Sequence, residues 1–204
     1  MNSMICVDNS KDIIIIGAGG IGRETAYMIE EINKISRSWN IIGFVDDNSD
    51  MWKQCLNGYD VLGGLEYLKG IDKKTYVIIA MANCQLKRKI VGELKGCFEF
   101  ATIVHPAVNI SKYIDIGQGT IIYEGTVLTV NTTIGNHVTI SGDCGIGHDT
   151  VIGDFSSILW GSNLSGYDLI GEEVFIGVGV NIIQNIKIDD GVKVDAGERV
   201  RKNM

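Results

Sequence analysis

The chain has 204 residues, 45% of them hydrophobic and 21% charged, which suits one large domain or two small ones around an aliphatic core. Its formal net charge of −7 excludes a general binder of nucleic acid or of anionic membrane, because both need a positive surface. The five cysteines, Cys6, Cys55, Cys84, Cys97 and Cys144, are odd in number and form no CxxC pair, so reduced thiols are expected rather than a disulfide framework or a zinc site. No basic segment followed by an apolar stretch stands at the N-terminus, so no signal peptide is expected, and aliphatic runs such as 13–16 are far too short to span a bilayer. Twenty-six glycines and a single proline, Pro106, in a chain rich in β-branched residues point to many tight turns between short strands.

Residues 12–16, an aspartate followed by four isoleucines, predict a strand buried on both faces. The run enters Gly17-Ala-Gly-Gly-Ile-Gly22, and the spacing of Ala26, Ile29 and Ile32 predicts a helix over 23–34, with Glu30 and Glu31 outside. A second strand is predicted at 41–45, ending in Asp46-Asp47. A third follows at 76–80, and a short helix at 86–94 carries Ile90, Val91 and Leu94 on one side. Strands alternating with helices predict a small Rossmann-like parallel sheet in an α/β domain, residues 1–101. The Gly17-x-Gly19-x-x-Gly22 spacing, with Asp46 after the next strand, fits the dinucleotide fingerprint: glycines let a phosphate approach the backbone at a helix N-terminus. About ninety residues hold only half of a full dinucleotide fold. A mononucleotide-sized ligand fits better, and a plain tight turn with a solvated acidic corner is the alternative.

From residue 102 the periodicity changes. Every sixth residue from Val104 to Val200 is aliphatic, through Ile110, Ile116, Ile122, Leu128 and onward without a slip. Glycine often follows, as at Gly117, Gly135 and Gly147, and the residue two before is mostly small or β-branched, as at Thr120, Thr126, Cys144, Ser156 and Ser162. Three six-residue units make one triangular turn, with the aliphatic side chain filling the prism and the small one beside it at the corner. Successive coils then stack at about 4.8 Å. The expected architecture for 102–204 is an all-β parallel β-helix of hexapeptide repeats. A β-sandwich is the alternative, but its period breaks at every turn. Val127, Val151, Leu159, Trp160, Leu169 and Phe175 fall at outward or corner positions, and apolar groups on flat sides suggest packing against other copies, most simply in a trimer.

Of His105, His137 and His148, only His148 combines a corner with an acidic neighbour and small surroundings, in Gly145-Ile-Gly-His-Asp-Thr150. A histidine can take a proton from an attacking amine or hydroxyl, and Asp149 can orient the ring. Gly166 lies one coil of eighteen residues beyond His148, so its backbone N–H can face a developing oxyanion. A solvent-exposed corner histidine and a plain corner glycine are the other readings of these two residues.

The chain from Asp12 to Asn203 resembles the hexapeptide-repeat bacterial sugar O- and N-acetyltransferases, of the type that modify sialic acid or UDP-linked amino sugars. The resemblance rests on Ile16-Gly-Ala-Gly-Gly-Ile-Gly-Arg-Glu24, Gly43-Phe-Val-Asp-Asp47, Gly58-Tyr-Asp-Val-Leu-Gly-Gly64, Val104-His-Pro-Ala107 and Ile146-Gly-His-Asp-Thr-Val-Ile-Gly-Asp154. It implies a left-handed β-helix and a homotrimer with active sites between neighbouring prisms, in the cytoplasm that the reduced thiols already suggest. It further implies acetyl-CoA as donor, no metal, and acetylation of a nucleotide-linked or free sugar for surface glycans. His148 becomes the general base, with Asp149 beside it. Gly166 contacts the thioester carbonyl, and Gly161, Gly179, Lys187, Arg199 and Lys202 fall to acetyl-CoA; Lys187, Lys193, Arg199, Arg201 and Lys202 gather in the last coil. Gly17, Gly19, Gly20, Asp46 and Asp47 fall to the acceptor. The sequence departs from the family pattern at Ser141, Ser157 and Ile21, where an asparagine and two histidines are common, and the closing Gly-x-Pro-Ala segment is not found in it. These departures bear on acceptor identity and sustain an alternative: a catalytically weak sugar-nucleotide-binding or scaffolding trimer.

Overall fold

Four isoleucines in succession alternate between two apolar layers. In the computed structural model, which describes residues 10–204, β1 (Lys11–Ile16) lies mid-sheet and Ile13 to Ile16 are at most 2% exposed. Cys6 and the segment read for a signal peptide lie outside the described residues. Ile13 and Ile15 pack with Ala26, Met28 and Ile29 of α1 (Gly20–Ile35). Ile14 and Ile16 pack with Ile90 and Leu94 of α2 (Cys84–Leu94). The remaining strands are β2 (Trp39–Val45), β3 (Cys55–Leu56), β4 (Tyr59–Gly63), β5 (Tyr76–Ile79) and β6 (Glu99–Phe100). Their order is β3-β4-β2-β1-β5-β6, parallel except for the β3–β4 hairpin. That hairpin turns on Asn57-Gly58, both with positive φ, which is the twist a two-residue turn requires. Its strands are too short for periodicity to reveal, although the Asn-Gly pair was a legible signal. Glu30 and Glu31 are half-buried rather than outside: Glu30 accepts a hydrogen bond from Tyr59 of β4, and Glu31 pairs with Lys34.

The hexapeptide period builds a parallel β-helix with three faces. The first face stacks the strands at Ile103–Val104, Ile121–Ile122, Thr139–Ile140, Ser157–Ile158, Phe175–Ile176 and Lys193–Val194. The second stacks Val127–Leu128, Gly145–Ile146, Asn163–Leu164, Asn181–Ile182 and Arg199–Val200. The third stacks Ile114–Ile116, Thr132–Ile134, Val151–Ile152, Leu169–Ile170 and Lys187–Ile188. Each partner lies eighteen residues along, as in Ile146 against Leu164. The last residue of each of these strands contributes to one continuous core. Ile110 is the exception to the inward pattern: it is 40% exposed, because 105–113 form no strand and no second-face strand lies below.

The small corner residues bond from coil to coil. Ser156 Oγ donates to the Gly171 carbonyl and accepts from Val174 N–H, and Ser162 does the same with Gly177 and Val180. Asp168 occupies this position one coil above Thr150 and is fully buried. Its Oδ1 accepts from Ile186 N–H at 2.8 Å, but its Oδ2 has no partner among the described residues. Burial pushes the Asp168 carboxyl above its ordinary range, against backbone hydrogen bonds that lower it. The neutral acid is favoured by folding, so this contribution to stability is lost as pH rises through the raised value. Asp168→Asn, which imitates the neutral acid, is expected to be more stable than wild type at pH 7. That gain should vanish by about pH 4, where unfolded aspartate also takes its proton. Urea melts at both pH values check this; a gain independent of pH would remove burial as its cause.

The N-terminal half covers the first face. Lys87 of α2 is fully buried there, donating to Ser156 O at 3.0 Å, Ser157 Oγ at 2.9 Å and Thr139 Oγ1 at 3.3 Å. Tyr123 OH lies 2.7 Å from Thr25 Oγ1 and donates to the Ile21 carbonyl at 3.0 Å. Arg88 pairs with Glu172 and Glu173. No helix among the described residues is long and apolar enough to cross a membrane.

Candidate active site

His148 follows the second-face strand Gly145–Ile146 and sits on the edge between the second and third faces. Its side chain is 46% exposed. Nδ1 lies 2.8 Å from Asp149 Oδ2, and the edge of Tyr167 meets the ring at a centroid distance of 5.0 Å. Asp149 also accepts from Asn131 Nδ2 at 3.0 Å. The hydrogen bond with His148, then that with Asn131, holds the Asp149 carboxyl below its ordinary range. An ionised Asp149 takes the Nδ1 proton as acceptor, so the lone pair is left on Nε2. Gly166 lies directly over the ring, as eighteen-residue stacking predicts. A Cβ at Gly166 would come within 2.5 Å of His148 Cε1 and 2.6 Å of Nε2, so close approach, not backbone conformation, requires glycine.

The other two histidines are far less exposed than His148. His137 is buried, stacked on Phe155 at 5.3 Å and edged by Phe100, and burial pulls its pKa down to about 4. His105 is nearly buried, and its Nδ1 accepts from Ala107 N–H.

Beside His148, the second face presents Gly145, Asn163, Asn181 and Arg199 outward in register. Asn163, Ser165, Asn181, Ile183 and Arg199 line an open groove of about 390 Å³. On the opposite edge of this face Gly161 and Gly179 hold φ near +67° and +69°, and nothing lies within 4 Å of where a side chain would start. The face is thus a strip of amides and one guanidinium between a bare ledge and His148, which suits an extended polar chain ending in anionic groups. The sequence singled out Arg199, Gly161 and Gly179 but missed Asn163 and Asn181. Their signal was the eighteen-residue spacing from Gly145 to Arg199.

The basic residues of the last coil do not cluster. Lys187 stands on the third face and pairs with Asp189 at 2.6 Å. Lys193 stands on the first and pairs with Asp195 at 3.1 Å. Arg199 alone of the three strand cations faces the groove, because consecutive hexapeptides point to different faces. Arg201 and Lys202 are exposed in the tail, whose Met204 and Asn203 hydrogen-bond to Lys187.

The glycine loop lies where the parallel strands end, at the crevice such sheets offer to ligands. Ile16, Gly17, Val45, Asp46, Asp47, Leu65 and Met81 contribute to a cavity of about 130 Å³. Gly19 and Gly20 open α1 with free space around them, and no side chain caps its N-terminus. Asp46 is partly engaged: Oδ2 accepts from Ala18 N–H and Oδ1 from Asn48 N–H. Asp47 Oδ1 accepts from Leu65 N–H. This cavity and His148 do not meet within one chain, since the N-terminal half covers the first face and His148 stands on the edge opposite it. Ser157 faces Lys87 under α2, Ser141 is buried on the first face, and the Ile21 carbonyl is held by Tyr123, so none of the three touches His148. Among the described residues, no group of three or more His, Cys, Asp or Glu side chains is placed to hold a metal.

The PglD N-terminal domain family matches residues 12–94. GDP-perosamine N-acetyltransferase of Escherichia coli O157:H7 is 32% identical over 174 residues, covering 84% of this chain and 78% of that protein. The acetyltransferase domain of PglB from Neisseria gonorrhoeae FA1090 superposes with a TM-score of 0.88 at 25% identity, covering 96% of this chain and 93% of that one. PerB from Caulobacter crescentus, solved in complex with CoA and GDP-perosamine, shares the fold with a TM-score of 0.84 at 22% identity, covering 95% and 90%.

Proposed function

The chain belongs to the hexapeptide-repeat sugar acetyltransferase family that includes GDP-perosamine N-acetyltransferase, and from that premise we propose that it transfers an acetyl group from acetyl-CoA to the amine of a nucleotide-linked amino sugar. The observation that carries this reading is His148: exposed, bonded through Nδ1 to Asp149, and lying against Gly166. The sugar amine attacks the thioester carbonyl while Nε2 takes the amine's proton. The Gly166 N–H faces the oxyanion of the tetrahedral intermediate. That intermediate collapses by breaking the C–S bond, and the imidazolium returns the proton to the leaving thiolate. No covalent intermediate with the enzyme is needed.

Acetyl-CoA runs along the second face, with its pantetheine on the Gly161–Gly179 ledge and the asparagine strip. Arg199 pairs with a phosphate, Lys202 stands near in the exposed tail, and Lys187 is held away by Asp189. Residues 102–204 form this acyltransferase unit. Residues 1–101 hold the acceptor nucleotide at Gly17, Gly19, Gly20, Asp46 and Asp47. The acceptor cavity and His148 stand on opposite sides of one prism, so a neighbouring copy completes each site, and a homotrimer is the closed assembly that suits three flat faces. Val127, 61% exposed, and Leu169, 49% exposed, supply apolar surface for that contact.

The test is thiol release from acetyl-CoA with GDP-, UDP- and dTDP-linked amino sugars, and with sialic acid and its CMP form. Wild type is run beside His148→Ala. One acceptor is expected to release CoA, and His148→Ala to lose ~10²–10⁴-fold of that rate while folded. A sugar nucleotide that binds without turnover would replace this reading with a binding or scaffolding trimer.

A further inference from the structure

Asp149 has two carboxylate oxygens, and each has its own partner. Oδ2 faces His148 Nδ1 at 2.8 Å, and Oδ1 accepts from Asn131 Nδ2 at 3.0 Å. Asn131 stands eighteen residues before Asp149, on the same edge and one coil away. Both backbones are left-handed, with φ of 56° and 57°, a conformation that asparagine and aspartate tolerate. The coils are also tied by main chain, with Asp149 N–H donating to the Val130 carbonyl at 3.0 Å. The base of the carboxylate is therefore fixed by backbone and its far oxygen by Asn131. Rotation of the carboxylate away from the imidazole would break the Asn131 bond as well. On the other side, Tyr167 N–H donates to the His148 carbonyl at 2.9 Å, and its ring edges the imidazole.

We propose that Asn131 is a positioning residue: it clamps the Asp149 carboxylate so that His148 keeps its proton on Nδ1 and its lone pair on Nε2. The inference rests on His148 being the base. Asn131 is bonded to the Asp149 carboxylate and acts on the imidazole through it. The asparagine amide suits this role because it is a donor that never ionises.

Asn131→Gly removes the amide while keeping a residue at ease in the left-handed region, and Asn131→Asp keeps the shape but loses the donor. Both are expected to lower kcat ~10-fold, the scale on which outer-shell hydrogen bonds act. KM for acetyl-CoA should change less than twofold. In an Asp149→Ala background, Asn131→Gly should cost nothing further, which a role in coil stability would not give. Nitrogen-15 chemical shifts of the His148 ring read the tautomer without turnover: the Nδ1–H form in wild type, a mixture in Asn131→Gly. An unchanged tautomer and kcat in Asn131→Gly, or an equal loss with and without Asp149, overturns the proposal. Retention of the wild-type rate by His148→Ala is a different result, and it overturns the base assignment on which the proposal stands.

Discussion

Gly166→Ala is expected to lower kcat by ~10²–10³-fold, the loss that follows from removing one oxyanion donor or misplacing a reacting group by about 1 Å. The added methyl would overlap three ring atoms of His148, at 2.5 Å from Cε1, 2.6 Å from Nε2 and 2.9 Å from Nδ1. Something must move. The ring is the far end of a half-exposed side chain, so it swings outward more readily than a packed coil shifts. Doing so breaks the Asp149 hydrogen bond and carries Nε2 away from the Gly166 amide. The Gly166 backbone is not left-handed, so alanine brings no conformational strain of its own. Activity and stability should therefore separate: kcat collapses while the melting temperature stays within a few degrees of wild type. Steady-state rates beside a thermal melt test this. A wild-type rate in Gly166→Ala would mean that the reactive ring occupies a different position from the one over Gly166.

Lys87→Met should change the pH dependence of stability strongly. Lys87 is fully buried between α2 and the first face, with two hydroxyls and one carbonyl around its ammonium. Burial lowers its pKa from 10.5 to about 7. Below pH 7 the amine is charged in both folded and unfolded chains, so the full cost of burying the charge is present. Between pH 7 and 10.5 the folded chain has released the proton and the unfolded chain has not, so wild-type stability rises by about 1.4 kcal/mol per pH unit. The methionine variant lacks this rise. Its stability relative to wild type should fall by about 5 kcal/mol at most across that window, since the shift spans 10.5 to about 7. Three hydrogen bonds are lost at every pH, which moves the whole difference without changing its slope. Urea melts of both proteins at pH 6.5, 8 and 9.5 decide it: parallel curves would mean that Lys87 stays charged in the folded state.

The sequence by itself determined the β-helix. An aliphatic residue every sixth position needs no long-range information to be read, because each strand repeats the same local geometry and stacks on the residue eighteen along. The same arithmetic placed Gly166 over His148, and it would have placed Asn163 and Asn181 beside Arg199, and Asn131 beside Asp149, had it been carried through every corner. It failed at Ile110, where no coil lies below to receive the side chain. It also passed over Asp168, a charged residue where the period asks for a small one. The glycine loop and the strand ahead of it were legible for a similar reason: four isoleucines in a row have no face to give to water.

Only the tertiary structure decided which of the three faces is covered. Lys87 stands in Lys87-Arg88-Lys89, which reads as a solvated stretch of helix, yet docking of α2 on the first face buries the first of these and leaves Lys89 largely exposed. The same docking turns Ser157 toward Lys87 and puts the glycine-loop cavity on the far side of the prism from His148. A hexapeptide repeat makes its three faces alike in period and in core. The choice between them rests on side chains scattered through both halves, from Thr25 and Tyr123 to Arg88 and Glu172, whose partners lie 84 to 98 residues away.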